Sequence, residues 1–150
     1  PRGDRPEGVD VLVGAEGLDR LLFESDYLCV TAPDTPETRG MLDAAAFSRM
    51  KQGAVLVNVA RGKLVVEDAL VDALRSGRLR GAGLDVFDTE PPPSDSPLWG
   101  FPNVMITPHV SPVTTGFWRR EADLVLHNLD RFLAGQAHEM RNLVDKVAGY

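Results

Sequence analysis

The sequence predicts an α/β fold in which short parallel strands alternate with helices. The first indication is an unbroken, mostly β-branched apolar run at residues 54–57, bounded by Gly53 and Gly62, which is typical of a strand buried on both faces of a parallel sheet. Similar short apolar runs recur along the chain, with helical periodicity between them. This alternation indicates right-handed βαβ crossovers and a parallel sheet with helices on its faces.

Five strands are predicted from these apolar runs. They cover residues 9–13, 27–30, 54–57, 81–87 and 104–107. The segment TAPDTP after the second strand has turn chemistry, and Asp34 or Thr35 can cap the segment after it. The last two strands are separated by a long loop over residues 88–101, which contains three consecutive prolines and in which Trp99 is predicted to be an anchor.

Four helices are predicted between and after the strands. Their apolar positions are Leu18, Leu21 and Leu22 in the first, residues 44–50 after Asp43 in the second, Val66, Ala69, Leu70, Ala73 and Leu74 in the third, and Trp118, Ala122, Val125, Leu129 and Phe132 in the fourth. Gly77 and Gly135 end the last two. Trp118 is predicted to lie in the core.

Composition limits the class of protein. The 150 residues are enough to bury a core, and a net charge of −6 with a pI near 5.0 argues against nucleic acid or an anionic membrane as partner. Cys29, the single cysteine, is predicted to fill the core of a protein in the reducing cytoplasm. His127 and His138 have no partners at metal-ligand spacing, so they are predicted to be surface residues and no metal site is expected.

Four residues with useful chemistry stand at the ends of successive predicted strands. Arg61, Glu90 and His109 follow three of the strands, and Asp85 lies near the end of one. Because the carboxyl ends of parallel strands share one edge of the sheet, these residues can converge there. There Arg61 suits binding of an anion, His109 suits proton donation, and Glu90 suits orientation of the imidazole.

Each of these residues also has a structural interpretation. Arg61 can cover the edge of the sheet or pair with a surface carboxylate, and His109 can cap the loop after Pro108. Asp85 is either a buried acid satisfied by backbone donors or an acceptor for a bound amide. Residues 31–33 either border a ligand or form a plain turn.

Several motifs recur in a fixed order along the chain. They are NVARG at residues 58–62, GAGLDVFDTEP at 81–91, SPLW at 96–99 and PNVMITPH at 102–109, together with the helix pattern EDALVDALRSGRL and the ending NLVDKVAGY. In these pieces, from about residue 9 to the C-terminus, the chain resembles the D-isomer-specific 2-hydroxyacid dehydrogenase family. The resemblance implies a Rossmann-like, doubly wound parallel sheet followed by a long C-terminal helix.

The resemblance also implies a role for each predicted site residue. Arg61 matches the arginine that binds the substrate carboxylate, His109 the histidine that protonates the carbonyl oxygen, and Glu90 the acid paired with that histidine. Asp85 matches the acid that receives the nicotinamide carboxamide. The residues implied to bind the dinucleotide are Thr31, Ala32, Pro33, Val59, Ala60, Arg61, Asp85, His109 and Ser111.

Parts of the family pattern are missing from this sequence. The glycine-rich GxGxxG loop and the strand after it are not present in these residues. GAG at residues 81–83 is not that loop, because it lacks the third glycine and leads into a strand. The substrate-binding domain is missing as well. The resemblance therefore implies a partial NAD(P)-binding domain over residues 1–112, and a helix and tail over 113–150 that return to the substrate domain. We expect the 150 residues alone neither to bind the dinucleotide tightly nor to turn over.

For the full-length protein the resemblance implies NAD(P)-dependent reduction of a small 2-oxo acid to a D-2-hydroxy acid. It also implies that this protein is a homodimer. SPLW and the final Gly-Tyr resemble the glyoxylate/hydroxypyruvate reductase branch. D-3-phosphoglycerate dehydrogenase and a non-catalytic, dinucleotide-sensing corepressor are alternatives. Arg2 and Arg5 either accept the 2′-phosphate of NADP or lie in a solvated loop, so the choice between NAD and NADP stays open.

Overall fold

A computed structural model describes residues 6–146, and a sheet of four parallel strands forms its centre. The strands are β1 (Tyr27–Val30), β2 (Ala54–Asn58), β3 (Leu79–Leu84) and β4 (Val104–Ile106), in the order β1-β2-β3-β4. The helices are α1 (Leu18–Glu24), α2 (Ala44–Arg49), α3 (Glu67–Arg75) and α4 (Phe117–Leu133). The predicted Rossmann-like α/β class, with its long C-terminal helix, is confirmed.

The chain divides into two compact units, one that ends at Pro108 and one that begins at His109. The first unit contains the sheet and α1 to α3. The second contains α4 and a short 3-10 helix, whose Glu139 Oε2 lies 3.1 Å from Arg131 Nη1 of α4. The division predicted after residue 112 stays a prediction.

Local sequence accounts for α2 and α3. The side chain of Asp43 accepts a hydrogen bond from Ala46 N at 2.8 Å, so it caps the N-terminus of α2. Helix α3 ends before Gly77, whose φ of +70° lies in the left-handed region. One face of α3 is buried in the same apolar core as Leu56 of β2 and Leu84 of β3. The core of the first unit therefore joins these helices to the sheet.

The four strands end in one row of the sheet. Val30 of β1 pairs with Asn58 of β2, Asn58 pairs with Leu84 of β3, and Leu84 pairs with Ile106 of β4. Each of these residues is the last of its strand. Since all four strands are parallel, the loops that follow them leave from the same edge.

Two strand predictions need correction. Residues 9–13 are not a strand, so the sheet within residues 6–146 has four strands instead of five. A strand needs a neighbour for its backbone hydrogen bonds, and none of the described strands pairs with this run, whose Val11 is 44% exposed. In addition, β3 covers Leu79–Leu84 and not residues 81–87, so Asp85 follows the strand instead of lying within it.

Two core predictions are wrong as well. Cys29 is exposed, because Leu28 and Val30 on either side of it pack on the core and successive side chains of a strand point to opposite faces. Trp118 is 75% exposed, and no residue of α4 is buried. An apolar stripe predicts a helix, but it does not say what covers that stripe.

Some predictions fall on parts of the chain that the structure does not describe. Arg2, Arg5, Gly149 and Tyr150 lie outside residues 6–146. Within that range, no helix has both the length and the apolar character needed to cross a membrane. The same range contains no group of three or more His, Cys, Asp or Glu side chains that could hold a metal ion.

Candidate functional site

The residues that directly follow the strands lie along one edge of the sheet. They are Thr31, Val59, Asp85 and Thr107. Three of them donate a main-chain N–H to the carbonyl oxygen of the last residue of the neighbouring strand. The N···O distance is 3.4 Å from Val59 to β1, 3.0 Å from Asp85 to β2 and 2.9 Å from Thr107 to β3. In open α/β sheets, ligands bind beyond this edge.

The loop after β2 is held by a buried amide. Asn58 is 1% exposed; its Oδ1 accepts from Ala60 N at 3.1 Å and its Nδ2 donates to Arg61 O at 3.0 Å. The sequence pattern includes Asn58 in the NVARG motif but assigns it no role. A polar residue that ends an otherwise apolar strand was the signal that could have identified it.

Positive charge collects on the loops after β1 and β2. Arg61 is exposed, and its Nη1 donates to Ala60 O at 2.6 Å. Two hydrogen bonds from Arg39, at 2.7 and 3.2 Å, hold the pKa of the Asp34 carboxyl below its ordinary value, and the charges of Lys63 and Arg61 act in the same direction. Arg39 is engaged by Asp34, whereas the guanidinium of Arg61 is exposed and has the chemistry to bind an anionic ligand.

The loop at Thr31, Ala32 and Pro33 is also fixed in place. The hydroxyl of Thr38 donates to Pro33 O at 2.6 Å and accepts from Thr35 N at 2.8 Å. Ala32 packs against the core, while Thr31 and Pro33 are exposed. That these residues border a dinucleotide stays a prediction.

Asp85 is a buried acid at the middle of this edge. It is 3% exposed, and the hydroxyl of Thr107 donates a hydrogen bond to its Oδ1. Because a carboxylate can accept several hydrogen bonds, Asp85 has the chemistry to accept one from an amide as well. Thr107, which the sequence pattern places only at the end of a strand, is therefore part of the support of the site.

The loop after β3 lies directly against the loop after β2. Glu90 Oε1 accepts a hydrogen bond from Phe87 N at 2.9 Å, which folds its carboxylate back on its own loop. A Cβ atom at Gly62 would lie 1.9 Å from the carbonyl carbon of Phe87 and 2.0 Å from its oxygen. Only glycine fits there, so the loop that carries Arg61 and the loop that carries Glu90 are in backbone contact.

The rest of the loop after β3 is anchored at its far end. Trp99 Nε1 donates to Pro93 O at 2.8 Å, as expected of an anchor, although half of the side chain is exposed. Ser96 is buried, and its hydroxyl donates to Glu67 of α3 at 3.2 Å. The loop is thus held both by its own main chain and by α3.

The remaining predicted site residues, His109 and Ser111, belong to the second unit. His109 has a φ of +54°, a left-handed conformation in which histidine, asparagine and aspartate are enriched among residues other than glycine. The pairing of His109 with Glu90 stays a prediction. Of the other histidines, His138 is exposed, whereas His127 is half-buried with its Nε2 3.2 Å from Glu139 O.

The contact between Thr107 and Asp85 can be tested by Thr107→Val. We expect this change to lower the free energy of unfolding by about 1–3 kcal/mol, because the buried carboxylate loses its hydroxyl donor while the size of the side chain is kept. Urea unfolding of the full-length protein measures the effect. Thr107→Ser retains the hydroxyl and should be destabilised less; equal losses in the two variants would mean that the hydroxyl is not what supports Asp85.

Comparison with known proteins relates this chain to a family of dehydrogenases. Residues 3–111 match the sequence model of the D-isomer specific 2-hydroxyacid dehydrogenase, NAD binding domain. Glyoxylate/hydroxypyruvate reductase B of Pectobacterium carotovorum subsp. carotovorum (strain PC1) is 45% identical over 122 residues, which are 81% of this chain and 38% of that protein. The chain thus spans less than half the length of this curated relative.

Solved structures give the same relationship. The D-isomer specific 2-hydroxyacid dehydrogenase from Xanthobacter autotrophicus Py2, in complex with NADPH and MES, matches with a TM-score of 0.89 and 41% identity, over 99% of this chain and 60% of that one. The NADPH-dependent glyoxylate/hydroxypyruvate reductase from Sinorhizobium meliloti, in complex with NADP and sulfate, matches with a TM-score of 0.87 and 39% identity, over 100% of this chain and 48% of that one.

Proposed function

Since the chain belongs to the D-isomer specific 2-hydroxyacid dehydrogenase family, we propose that the whole protein reduces a small 2-oxo acid to a D-2-hydroxy acid with NADH or NADPH. The observation that supports this most is the edge of the sheet beyond β2 and β3. There an exposed guanidinium, Arg61, and a buried carboxylate, Asp85, follow adjacent strands, and the loop that carries Glu90 packs against Gly62. An anionic substrate and an amide-bearing cofactor both have suitable partners at this edge.

The residues at this edge fit the nicotinamide end of a dinucleotide. The carboxylate of Asp85 is suited to accept a hydrogen bond from the N–H of a carboxamide, and residues 31–33, 59–61, His109 and Ser111 would border the cofactor. NADP bound to the Sinorhizobium meliloti reductase and NADPH bound to the Xanthobacter autotrophicus enzyme favour this assignment. When bound, the dinucleotide supplies the hydride.

Two side chains of this chain then act on the substrate, and a third acts on one of them. Arg61 binds the carboxylate of the 2-oxo acid through paired N–H donors, which fixes the direction of the carbonyl group. His109 donates a proton to the carbonyl oxygen during reduction and removes the hydroxyl proton in the reverse reaction. Glu90 orients the imidazole.

The substrate we propose is glyoxylate or hydroxypyruvate. The similarity to the Pectobacterium carotovorum and Sinorhizobium meliloti reductases, and the SPLW motif, favour this choice. We further propose that residues 1–112 belong to the NAD(P)-binding domain, that residues 113–150 lead back to the substrate domain, and that the full-length protein is a homodimer. Its molar mass in solution, measured by light scattering, tests the last of these.

An assay of the full-length protein tests the proposed reaction. Glyoxylate, hydroxypyruvate and 3-phosphohydroxypyruvate are each supplied with NADH and with NADPH, and oxidation of the cofactor is followed at its absorbance band. We expect turnover with glyoxylate or hydroxypyruvate. Turnover with the phosphorylated acid alone would assign the other branch of the family. Binding of the dinucleotide without any turnover would contradict an enzyme and favour a dinucleotide sensor.

A further inference from the structure

We propose that Asn58 is a positioning residue that sets the direction of Arg61 for binding the substrate carboxylate. The inference rests on the proposed function, because it assigns Arg61 to the substrate. It adds a buried residue that acts through the main chain of the loop after β2.

Asn58 is placed to act on two neighbouring loops at once. Its side chain binds the main chain of its own loop at both ends, through Ala60 N at 3.1 Å and Arg61 O at 3.0 Å. Its main-chain carbonyl oxygen accepts a hydrogen bond from Asp85 N at 3.0 Å, which ties the adjacent loop to the same residue. One buried residue therefore links the backbone of Arg61 to that of Asp85.

The conformation of Arg61 depends on this arrangement. Arg61 has extended backbone, with φ of −145° and ψ of 144°, and its own guanidinium donates to Ala60 O at 2.6 Å. The carbonyl of Arg61 is held by Asn58 on one side, and Gly62 is held by close contact with Phe87 on the other. An exposed arginine on a mobile loop would lose entropy on binding an anion, and fixing its main chain in advance reduces that loss.

The burial of Asn58 makes its two side-chain hydrogen bonds hard to replace. Because Asn58 is only 1% exposed, water cannot take the place of either partner of its amide group. Asn58→Asp keeps the shape and the acceptor to Ala60 N but turns an oxygen toward the carbonyl of Arg61. Asn58→Ser keeps an acceptor near Ala60 N and removes the donor to Arg61 without introducing charge, so it serves if the aspartate variant does not fold.

The experiment measures KM for glyoxylate, KM for NADPH, Kd for NADPH by fluorescence, and Tm, all on the full-length protein. We expect Asn58→Ser and Asn58→Asp to raise KM for glyoxylate about 10-fold or more, with Kd for NADPH changed by less than about 3-fold. Asn103→Asp is the matched control: Asn103 also donates its Nδ2 to a carbonyl, that of Arg80 at 2.8 Å, but it is exposed and precedes β4. It should leave both KM values unchanged.

A double-mutant cycle separates positioning from general stability. In an Arg61→Ala background, a residue that acts through Arg61 has nothing left to position, so Asn58→Ser should change KM for glyoxylate by less than about 2-fold. An equal rise in both backgrounds, or no rise in the wild-type background, would overturn the inference. An unchanged KM in Arg61→Ala alone would instead contradict the proposed function, so the two failures are distinguishable.

Discussion

Replacing His109 with asparagine is expected to lower kcat/KM for reduction of the 2-oxo acid by about 10²–10⁴-fold, the usual contribution of a positioned proton donor. Asparagine is the appropriate replacement because His109 has a φ of +54°, which asparagine also adopts readily. The variant therefore keeps the local backbone conformation and removes the proposed proton donor. Steady-state kinetics of the full-length protein, with NADPH binding measured in parallel, give the result.

The comparison variants for this prediction lie in the same unit. His138→Asn makes the same chemical change at an exposed histidine and should leave kcat/KM unaltered. His109→Gln also removes the proposed proton donor, but glutamine is less suited than asparagine to a left-handed backbone conformation. A lower Tm in the glutamine variant alone would therefore report backbone strain. If His109→Asn retained wild-type kcat/KM, the role of His109 as proton donor would be wrong.

Gly62→Ala is expected to destabilise the protein and to impair catalysis together. The added Cβ would lie 1.9 Å from the carbonyl carbon of Phe87 and 2.3 Å from Asp88 N, and both neighbours are main-chain atoms that cannot turn aside. The loops that carry Arg61 and Glu90 must then separate. We expect a loss of about 3 kcal/mol in the free energy of unfolding, at the upper end for overpacking, which corresponds to a Tm lower by about 6–12 °C.

Gly100→Ala is the matched control for this change. A Cβ at Gly100 meets nothing within 4 Å, and the residue has no positive φ. Thermal unfolding should therefore distinguish the two alanine variants clearly, and kcat/KM should fall only for Gly62→Ala. A Gly62→Ala protein with wild-type Tm and kcat/KM would show that the two loops can separate without consequence.

Local signals in the sequence predicted much of the fold because they depend on near neighbours along the chain. Asp43 caps α2 through its own third neighbour, and the apolar spacing of α3 specifies a buried face that the structure contains. The charged residues near the ends of the apolar runs were enough to assign Arg61 and Asp85 to the edge of the sheet, although the strand that precedes Asp85 ends at Leu84 and not at residue 87 as predicted.

Contacts between distant parts of the chain could not be predicted in the same way. Thr107 was not assigned to the support of the site, because its partner is a carboxylate 22 residues away. Asn58 was missed for a different reason: its partners are two and three residues away, but a motif does not show which way a side chain turns. The apolar run at residues 9–13 has strand composition, but pairing decides whether a strand forms. The exposed side of β1 likewise explains why Cys29 is not in the core.

The sequence by itself determined the α/β class, the helices and the chemical types at the edge of the sheet, since these depend on periodicity and capping over a few residues. Only the tertiary structure decided the number and register of the paired strands, the packing of Gly62 on the main chain of Phe87, and the hydrogen bond between Thr107 and Asp85. The physical reason is that register and close packing join groups far apart in the chain, and no local preference encodes which atoms will meet.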